Sequence, residues 1–191
     1  DTGPSITVTA TAVADTLAVD DDTLGTNATE SFADNFTVVT THSADGDSSE
    51  TAYSLSVGEG STGLFDTATG QEVTLTVDSD GVVHGYVTLD EVATDVFTVS
   101  VDADGDVTLD QLRVVKQGDT AQNNETTTLG AAELVTLTRT DTVTDRDGDA
   151  RTDAASINIG TALTFADTGP SITVTATAVA DTLAVDDDTL G

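Results

Sequence analysis

The chain has 191 residues, of which 35 are acidic and five are basic, so its formal net charge is −30. Hydrophobic residues make up 37% of it, which is enough for a folded core and indicates a very acidic globular protein rather than a disordered segment. A surface of this charge repels phosphate backbones and anionic headgroups, which argues against nucleic acid and against direct membrane contact. Metal cations remain natural partners, and cysteine is absent, so disulfides cannot stabilise the fold.

A long exact repeat organises the chain. Residues 1–25 recur without change as residues 167–191, which defines a period of 166 residues. Identical copies at a fixed period are typical of tandem arrays of stacked modules. We therefore expect a fragment of a longer protein, with a linker over residues 1–5, one monomeric module over residues 6–166, and the linker and first strands of the next module over residues 167–191. Neighbouring identical repeats are the expected protein partners.

Strand patterns dominate from one end of the module to the other. Threonine and valine, which suit a pleated sheet, alternate with other residues in several segments. These segments are residues 6–13, 52–57, 72–77, 96–101, 107–115 and 133–144, followed by residues 154–159. Asp-Gly turns separate many of them, which predicts an all-β fold, an antiparallel Ig-like β-sandwich. Only residues 90–93 and 131–134 have a composition compatible with a helical turn.

Three acidic segments are candidate metal sites. Two of them share one carboxylate spacing: Asp102, Asp104, Asp106 and Asp110, and then Asp145, Asp147, Asp149 and Asp153. Alternate carboxylates on a tight loop can converge on Ca²⁺, which takes six to eight oxygen ligands. The first set is flanked by clean strand patterns, so a hairpin turn with solvated carboxylates is its favoured interpretation. The second is polar throughout, which favours Ca²⁺.

The third acidic segment is the run from Asp20 to Asp22, repeated at residues 186–188. Adjacent residues of an extended chain point to opposite sides, so at most two of these carboxylates, Asp20 and Asp22, are expected to share an ion. A solvated acidic turn is an equally good interpretation.

Sandwich topology connects the second acidic loop with the linker. If residues 133–144 and 154–159 form the last two strands, the loop between them lies at the end where the chain enters the module. Asp1 would then lie near this loop, and Asp167 would lie near the same loop of the next module. The hypothesis is a Ca²⁺ at each junction that stiffens the hinge between neighbours.

Catalytic motifs are not evident. The sequence from Gly58 to Gly63 matches a glycine-rich phosphate loop but is not followed by a helical pattern, and His42 and His84 have no partner at metal-ligand spacing. We expect no enzymatic activity. Alternate threonines over residues 136–144 form a ladder on one face of a strand, which is either a solvent face or, as an alternative function, a surface that binds carbohydrate or ice.

Taken together, an ordered series of blocks resembles a known family. The blocks are LAVDDDTLGT (17–26), FADNFTV (32–38), AYSLSV (52–57), GLFDTATGQEVTL (63–75), VFTVSVDADGDVTLDQLRVV (96–115), TDRDGD (144–149) and FADTGPSI (165–172). They are similar to the long repeat of giant type I-secreted RTX adhesins of Gram-negative bacteria. The resemblance implies extracellular, cell-surface β-sandwich extender domains that project a distal ligand-binding region, with Ca²⁺ stiffening the linkers. It also implies Asp1, Asp167, Asp145, Asp147 and Asp149 as Ca²⁺ ligands.

Overall fold

The computed structural model describes residues 3–42, 46–118, 124–169 and 172–183. Within these ranges the fold is all-β, and its few helical segments are single 3₁₀ turns. The strands are β1 (Ser5–Ala10), β2 (Leu17–Asp20), β3 (Ala28–Ser31), β4 (Phe36–Thr41), β5 (Asp47–Val57), β6 (Thr74–Val77), β7 (Val83–Leu89), β8 (Val92–Val101), β9 (Asp106–Gln111), β10 (Asn124–Thr128), β11 (Val135–Asp145), β12 (Ala150–Asn158) and β13 (Leu163–Thr168). The prediction of an all-β sandwich is confirmed.

A long antiparallel ribbon forms the backbone of the module. β11 pairs with β12, and β10 pairs with β13, so the two pairings continue one another from a closed loop to an open end. They meet at the 3₁₀ turns Ala132–Leu134 and Gly160–Ala162, where the Ile159 N–H donates to the Val135 carbonyl oxygen over 2.8 Å. We call the end with residues 146–149 the loop end, and the end with residues 124 and 168 the open end.

The sheets pack in two layers around one core. Near the open end, β10, β13 and β2 face the five-stranded sheet β3-β9-β8-β7-β6, and the rings of Phe165 and Phe97 lie 4.9 Å apart across the layers. Nearer the loop end, the sheet β12-β11-β5 packs against the pair β1-β4. There the ring centroids of Phe36 and Tyr53 lie 6.1 Å apart, edge to face. Burial of these side chains supplies the main stabilisation of the sandwich.

Alternation explains why the longest strands form where they do. In β11 the side chains of Val135, Leu137 and Val143 are buried, while the threonines between them face outward. β9 alternates in the same way, with Val107 and Leu109 fully buried. A period of two places one apolar face on the core, which is the pattern of a half-buried strand.

The chain enters and leaves the module at opposite ends of the ribbon. Gly3 lies against the loop end, because a Cβ built on it would be 3.7 Å from the Asp149 Cβ. β13 runs to Thr168 at the open end, where it pairs with Asn124. The prediction that the acidic loop lies where the chain enters is therefore confirmed at Gly3, while Asp1 lies outside the described residues.

Several sequence-based expectations need correction. β12 is not the last strand, because β13 continues the ribbon after a 3₁₀ turn. One pairing is parallel rather than antiparallel, since β2 joins the edge of β13 with Leu17 opposite Leu163. Residues 90–93 form no helical turn: Asp90 and Glu91 have φ of 48° and 67° and make the tight turn between β7 and β8. The other compatible stretch, residues 131–134, contains the 3₁₀ turn Ala132–Leu134.

The C-terminal copy of the repeat differs in structure from the N-terminal one. Its first two residues, Asp167 and Thr168, end β13, but residues 172–183 contain no strand. Ile172, Val174 and Leu183 are 89%, 85% and 98% exposed. β1 has the same sequence and pairs with β4, so a partner strand rather than the sequence alone makes this segment a strand.

Candidate metal centres at the two ends of the module

The loop end carries a group of three carboxylates that we call the loop-end group: Asp145, Asp147 and Asp149. One ligand oxygen from each lies within 4.8 Å of the other two. The loop is tight because Asp145 Oδ1 accepts hydrogen bonds from the N–H groups of Gly148, at 3.1 Å, and Asp149, at 2.8 Å. These are three of the four carboxylates that share the predicted spacing, and their role as Ca²⁺ ligands stays a prediction.

The second oxygen of Asp145 points to a ligand. Asp145 is only 5% exposed, and its Oδ2 is buried without a hydrogen-bond partner. A buried carboxylate oxygen without a partner is costly unless a cation or a donor satisfies it. A Cβ built on Gly3 would lie 3.9 Å from this oxygen and 3.7 Å from Asp149 Oδ2, so both oxygens face the incoming linker.

Local hydrogen bonding lowers the pKa of the Asp145 carboxyl. The pKa of its carboxyl is lowered first by the hydrogen bond with the Asp147 side chain, then by the backbone N–H groups of Asp149 and Gly148. The charge of Asp47 works in the opposite direction. An ionised carboxylate is the form that a hard cation such as Ca²⁺ binds.

Two other carboxylates of this region are engaged elsewhere. Asp153 lies in β12 and accepts a hydrogen bond from the Val8 N–H at 2.8 Å, so it attaches β1 to the ribbon and lies outside the loop-end group. Asp141, which precedes the loop in β11, is buried and paired with Arg139 at 2.7 Å. The carboxylate spacing of the sequence therefore predicted one ligand too many for this loop, because Asp153 does not join the loop-end group.

The open end carries a second group, the open-end group, formed by Asp20, Asp21 and Asp22. Ligand oxygens of all three lie within 4.8 Å of one another, although the sequence predicted that at most two could meet. The prediction was wrong because Asp20 ends β2 and the next residues begin the 3₁₀ turn Asp21–Thr23, where the alternation of an extended chain no longer applies.

Asp167 lies beside this open-end group. The pKa of Asp21 is raised, first by burial and next by the negative charge of Asp167. A hydrogen bond from the Thr168 N–H opposes this shift, and the charges of Asp20 and Asp22 add smaller increases. The Thr168 hydroxyl donates to Asp20 Oδ2 at 3.0 Å. A cavity of about 400 Å³ at this end is lined by Asp21, Glu125 and Asp167, with Lys116 also on its wall. The sequence did not connect Asp20–Asp22 with Asp167, because the parallel pairing of β2 and β13 joins them.

The third candidate segment forms a hairpin turn. Asp102 Oδ1 accepts hydrogen bonds of 2.9 Å from the N–H groups of both Asp104 and Asp106, and the turn joins β8 to β9. Among the described residues, these three carboxylates do not converge as the other two groups do. This segment is the hairpin turn that the sequence favoured.

The threonine ladder lies on the outer face of the sheet β12-β11-β5. Its hydroxyls bond across to β12: Thr136 to Asn158 at 2.9 Å, and Thr138 and Thr142 to Ser156 and Thr152 at 2.8 Å each. The paired positions of β5 and β12 on this face are mostly small and uncharged, with Glu50 as the exception. We call this surface the hydroxyl face.

The described ranges contain no helix long and apolar enough to cross a membrane. The fold is an acidic β-sandwich, and a group of three carboxylates that are close enough together to hold a metal ion lies at each end of its ribbon. A family model described as "Domain of unknown function (DUF5801)" matches residues 16–160, and the chain belongs to that family. No curated protein and no solved structure matches the chain.

Proposed function

We propose that this protein is a non-enzymatic, Ca²⁺-stabilised extender module of a giant bacterial surface adhesin. Modules of this kind would be joined in tandem outside the cell and would project a distal ligand-binding region from its surface. The mechanism is mechanical: cations at each junction neutralise neighbouring carboxylates and restrict the hinge, so that a row of modules stays extended.

The observation that carries this proposal is the position of the linker relative to the two acidic groups. Thr168 closes β13 beside Asp20 and Asp21, and Gly169 follows it directly. By the 166-residue period, Gly169 is the equivalent of Gly3, which lies against Asp145 and Asp149. In a tandem array the open-end group of one module and the loop-end group of the next would therefore flank a linker of two residues, 169 and 170.

Charge favours a bound cation at such a junction. Across the junction, the three carboxylates of the next loop-end group would lie at short range from four others, those of Asp20, Asp21, Asp22 and Asp167. Like charges so placed repel unless they are neutralised. Carboxylate oxygens in this number suit Ca²⁺, which takes six to eight oxygens at about 2.3–2.6 Å in a flexible geometry. Asp145 Oδ2 of the next module, buried and without a partner, is the best-placed first ligand.

The test uses a chain with two complete repeats, because a single module contains only half of each junction. We expect Ca²⁺ to increase the maximum dimension measured by solution scattering and a chelator to reverse the change, with heat of binding in calorimetric titration. Asp145→Asn with Asp149→Asn in the second repeat should abolish both responses. Asp80→Asn with Asp104→Asn, which remove the same charge from hairpin turns, should leave both unchanged.

Two results would contradict the proposal. The first is equal dimensions with Ca²⁺ and with chelator, and the second is a response to Ca²⁺ that NaCl of equal ionic strength reproduces, because screening alone would then explain it.

The hydroxyl face supports a second candidate function, the binding of carbohydrate or another surface. Its largely uncharged character is unusual on a chain with net charge −30, and it lets a neutral ligand approach without repulsion. A glycan array and an ice-affinity assay test it, and Thr138→Lys with Thr142→Lys should abolish any binding found. Binding to nothing in either assay would leave the extender function as the better account.

A further inference from the structure

A cavity of about 530 Å³ opens between β12 and the segment that connects β1 to β2. Residues 11–14 line one wall, residues 156–158 line the other, and residues of the two 3₁₀ turns of the ribbon complete the lining. None of the lining residues is charged, although the chain carries a net charge of −30. The volume lies within the range of about 300–1,000 Å³ that is typical of ligand pockets.

One wall of this cavity is the free edge of a strand. Among the described strands β12 pairs with β11 alone, so its other edge has no ladder. The hydrogen bond from the Ile159 N–H to the Val135 carbonyl oxygen shows which residues face that edge. Since alternate pairs of an antiparallel ladder are hydrogen-bonded, the pairs that Ser156 and Asn158 form with β11 are not. The backbone N–H and C=O groups of these two residues therefore point away from β11, and both residues line the cavity.

The opposite wall also offers backbone donors. β1 runs beside β12 in the same direction without pairing with it, since Gly3 lies against Asp149 and the Val8 N–H donates to the side chain of Asp153. Beyond β1, the N–H groups of residues 12–14 donate no hydrogen bond within the part of the chain that the structure describes. The cavity thus has unpaired backbone groups on both of its walls.

The edge of β12 at the cavity lacks the usual protection against pairing. Proteins cover or interrupt free edges with charged side chains, prolines, bulges or loops. Asp153 covers the edge opposite Val8, but residues 154–158 include neither a charged residue nor a proline. An uncovered edge beside a preformed cavity is the geometry by which an extended peptide is added to a sheet as a further strand.

We propose that this cavity binds an extended segment of a partner polypeptide, which pairs with the edge of β12 at Ser156 and Asn158. Three to four residues of the segment lie in the cavity, at about 3.3 Å per residue. Their side chains are small and uncharged, because alanine, threonine and serine predominate in a lining without charge. Lysine or arginine flanks them, because the net charge of −30 attracts cationic segments and repels acidic ones. This binding requires neither Ca²⁺ nor a neighbouring module.

The probe is the peptide acetyl-Lys-Thr-Ala-Thr-Ala-Lys-amide, titrated in chelator into the full chain labelled with ¹⁵N. We expect the amide signals of Ser156, Asn158 and residues 12–14 to shift, and hydrogen exchange at Ser156 and Asn158 to slow. The same peptide methylated on its four central backbone nitrogens cannot donate to the edge and should produce no such shifts. A peptide with aspartate in place of both lysines should bind more weakly.

Proline substitutions locate the site on the strand. Ser156→Pro removes an N–H that β11 does not use and should weaken binding at least about tenfold. Ser156→Ala keeps that N–H and should bind the peptide as the unsubstituted chain does. Thr152→Pro makes the same change at an equivalent position of β12 outside the cavity and should also leave the affinity unchanged.

Several results would overturn the proposal. They are no shift of these amides at about 5 mM peptide, equal binding of the methylated or the acidic peptide, equal affinities of Ser156→Pro and Thr152→Pro, or shifts produced by glucose and not by the peptide. If Ser156→Pro fails to fold, the methylated peptide still decides whether the backbone edge is what the peptide binds.

Discussion

Gly85 leaves no room in the core for even a methyl side chain. A Cβ built there would lie 2.3 Å from Cε1 of Phe97, whose ring is fully buried on the neighbouring strand β8. The pairing of β7 with β8 shifts register between Gly85 and Tyr86, so the ring occupies the space that the missing side chain leaves. Gly85 is thus required for packing rather than for a turn.

We expect Gly85→Ala to lower the free energy of unfolding by about 2–3 kcal/mol, the usual cost of overpacking a core. Denaturant unfolding measures it, and Gly118→Ala is the matched control because nothing lies within 4 Å of the added methyl there. Equal stabilities of the two variants would show that Phe97 moves aside at no cost.

His84 makes the stability depend on pH near neutrality. Its Nδ1 lies 2.9 Å from Asp95 and its Nε2 lies 3.2 Å from Asp78. The hydrogen bond with Asp95 is the largest cause that raises the pKa of His84 above the ordinary value of 6.5, and Asp78 adds to it against the effect of burial. Since the folded-state pKa is raised, the stabilisation is fully present below that ordinary value and is lost as pH rises through the folded-state pKa.

The expected result is a fall in the unfolding free energy as pH rises from below 6.5 through the raised pKa of His84, of at most about 1 kcal/mol because both carboxylates are partly exposed. Denaturant titrations at several pH values measure it. His84→Asn should remove this part of the pH dependence, and an unchanged profile in that variant would rule out His84 as its source.

Among the elements, most strands with a clear alternation were predicted, including the four-residue β6 within residues 72–77, whereas β7 and several short strands were not. The two-residue alternation repeats several times in β8, β9 and β11, so the local pattern identified these strands. β2 and β3 have four residues each, too few for a period to stand out. β13 follows a 3₁₀ turn and contains an Ala-Asp pair, so its place in the sheet depends on β10 and β2 rather than on its own sequence.

The parallel pair β2–β13 predicts how the module resists force. A pull on the two ends of the module acts on β1 and β2 at one end and on β13 at the other. The four register pairs between β2 and β13 are then loaded in shear at the same time, from Leu17 opposite Leu163 to Asp20 opposite Ala166. Bonds loaded together share the force, whereas a hairpin pulled apart at its open end loses its bonds one at a time.

Single-molecule unfolding through handles at positions 3 and 168 should therefore require a clearly higher force than unfolding through positions 74 and 86, which are register partners at the open end of the β6–β7 hairpin. The chain has no cysteine, so introduced cysteine pairs attach the handles at these positions alone. Equal forces in the two geometries would show that the parallel pair does not act as a mechanical clamp.

For the whole molecule, the topology explains why so acidic a chain folds and where its charge collects. Asp66 is buried but bound by Arg113 at 2.9 Å, and Asp141 is bound by Arg139, so two of the five cations neutralise acids in the interior. Hairpin turns such as that of Asp102 keep other carboxylates at the surface. Within the described residues, the two groups of converging carboxylates lie at opposite ends of the ribbon.

The sequence by itself determined the all-β class, the 166-residue period, the position of the long strands and the carboxylate group on the loop of residues 145–149, because alternation, exact repetition and loop spacing are local properties of the chain. Only the tertiary structure decided that Asp167 lies with Asp20, Asp21 and Asp22, that Asp153 binds the backbone of β1, and that one copy of an identical segment is a strand while the other is not. The first two outcomes depend on contacts between residues more than a hundred positions apart. The third depends on the pairing of β1 with β4, because a strand exists only where its partner is present.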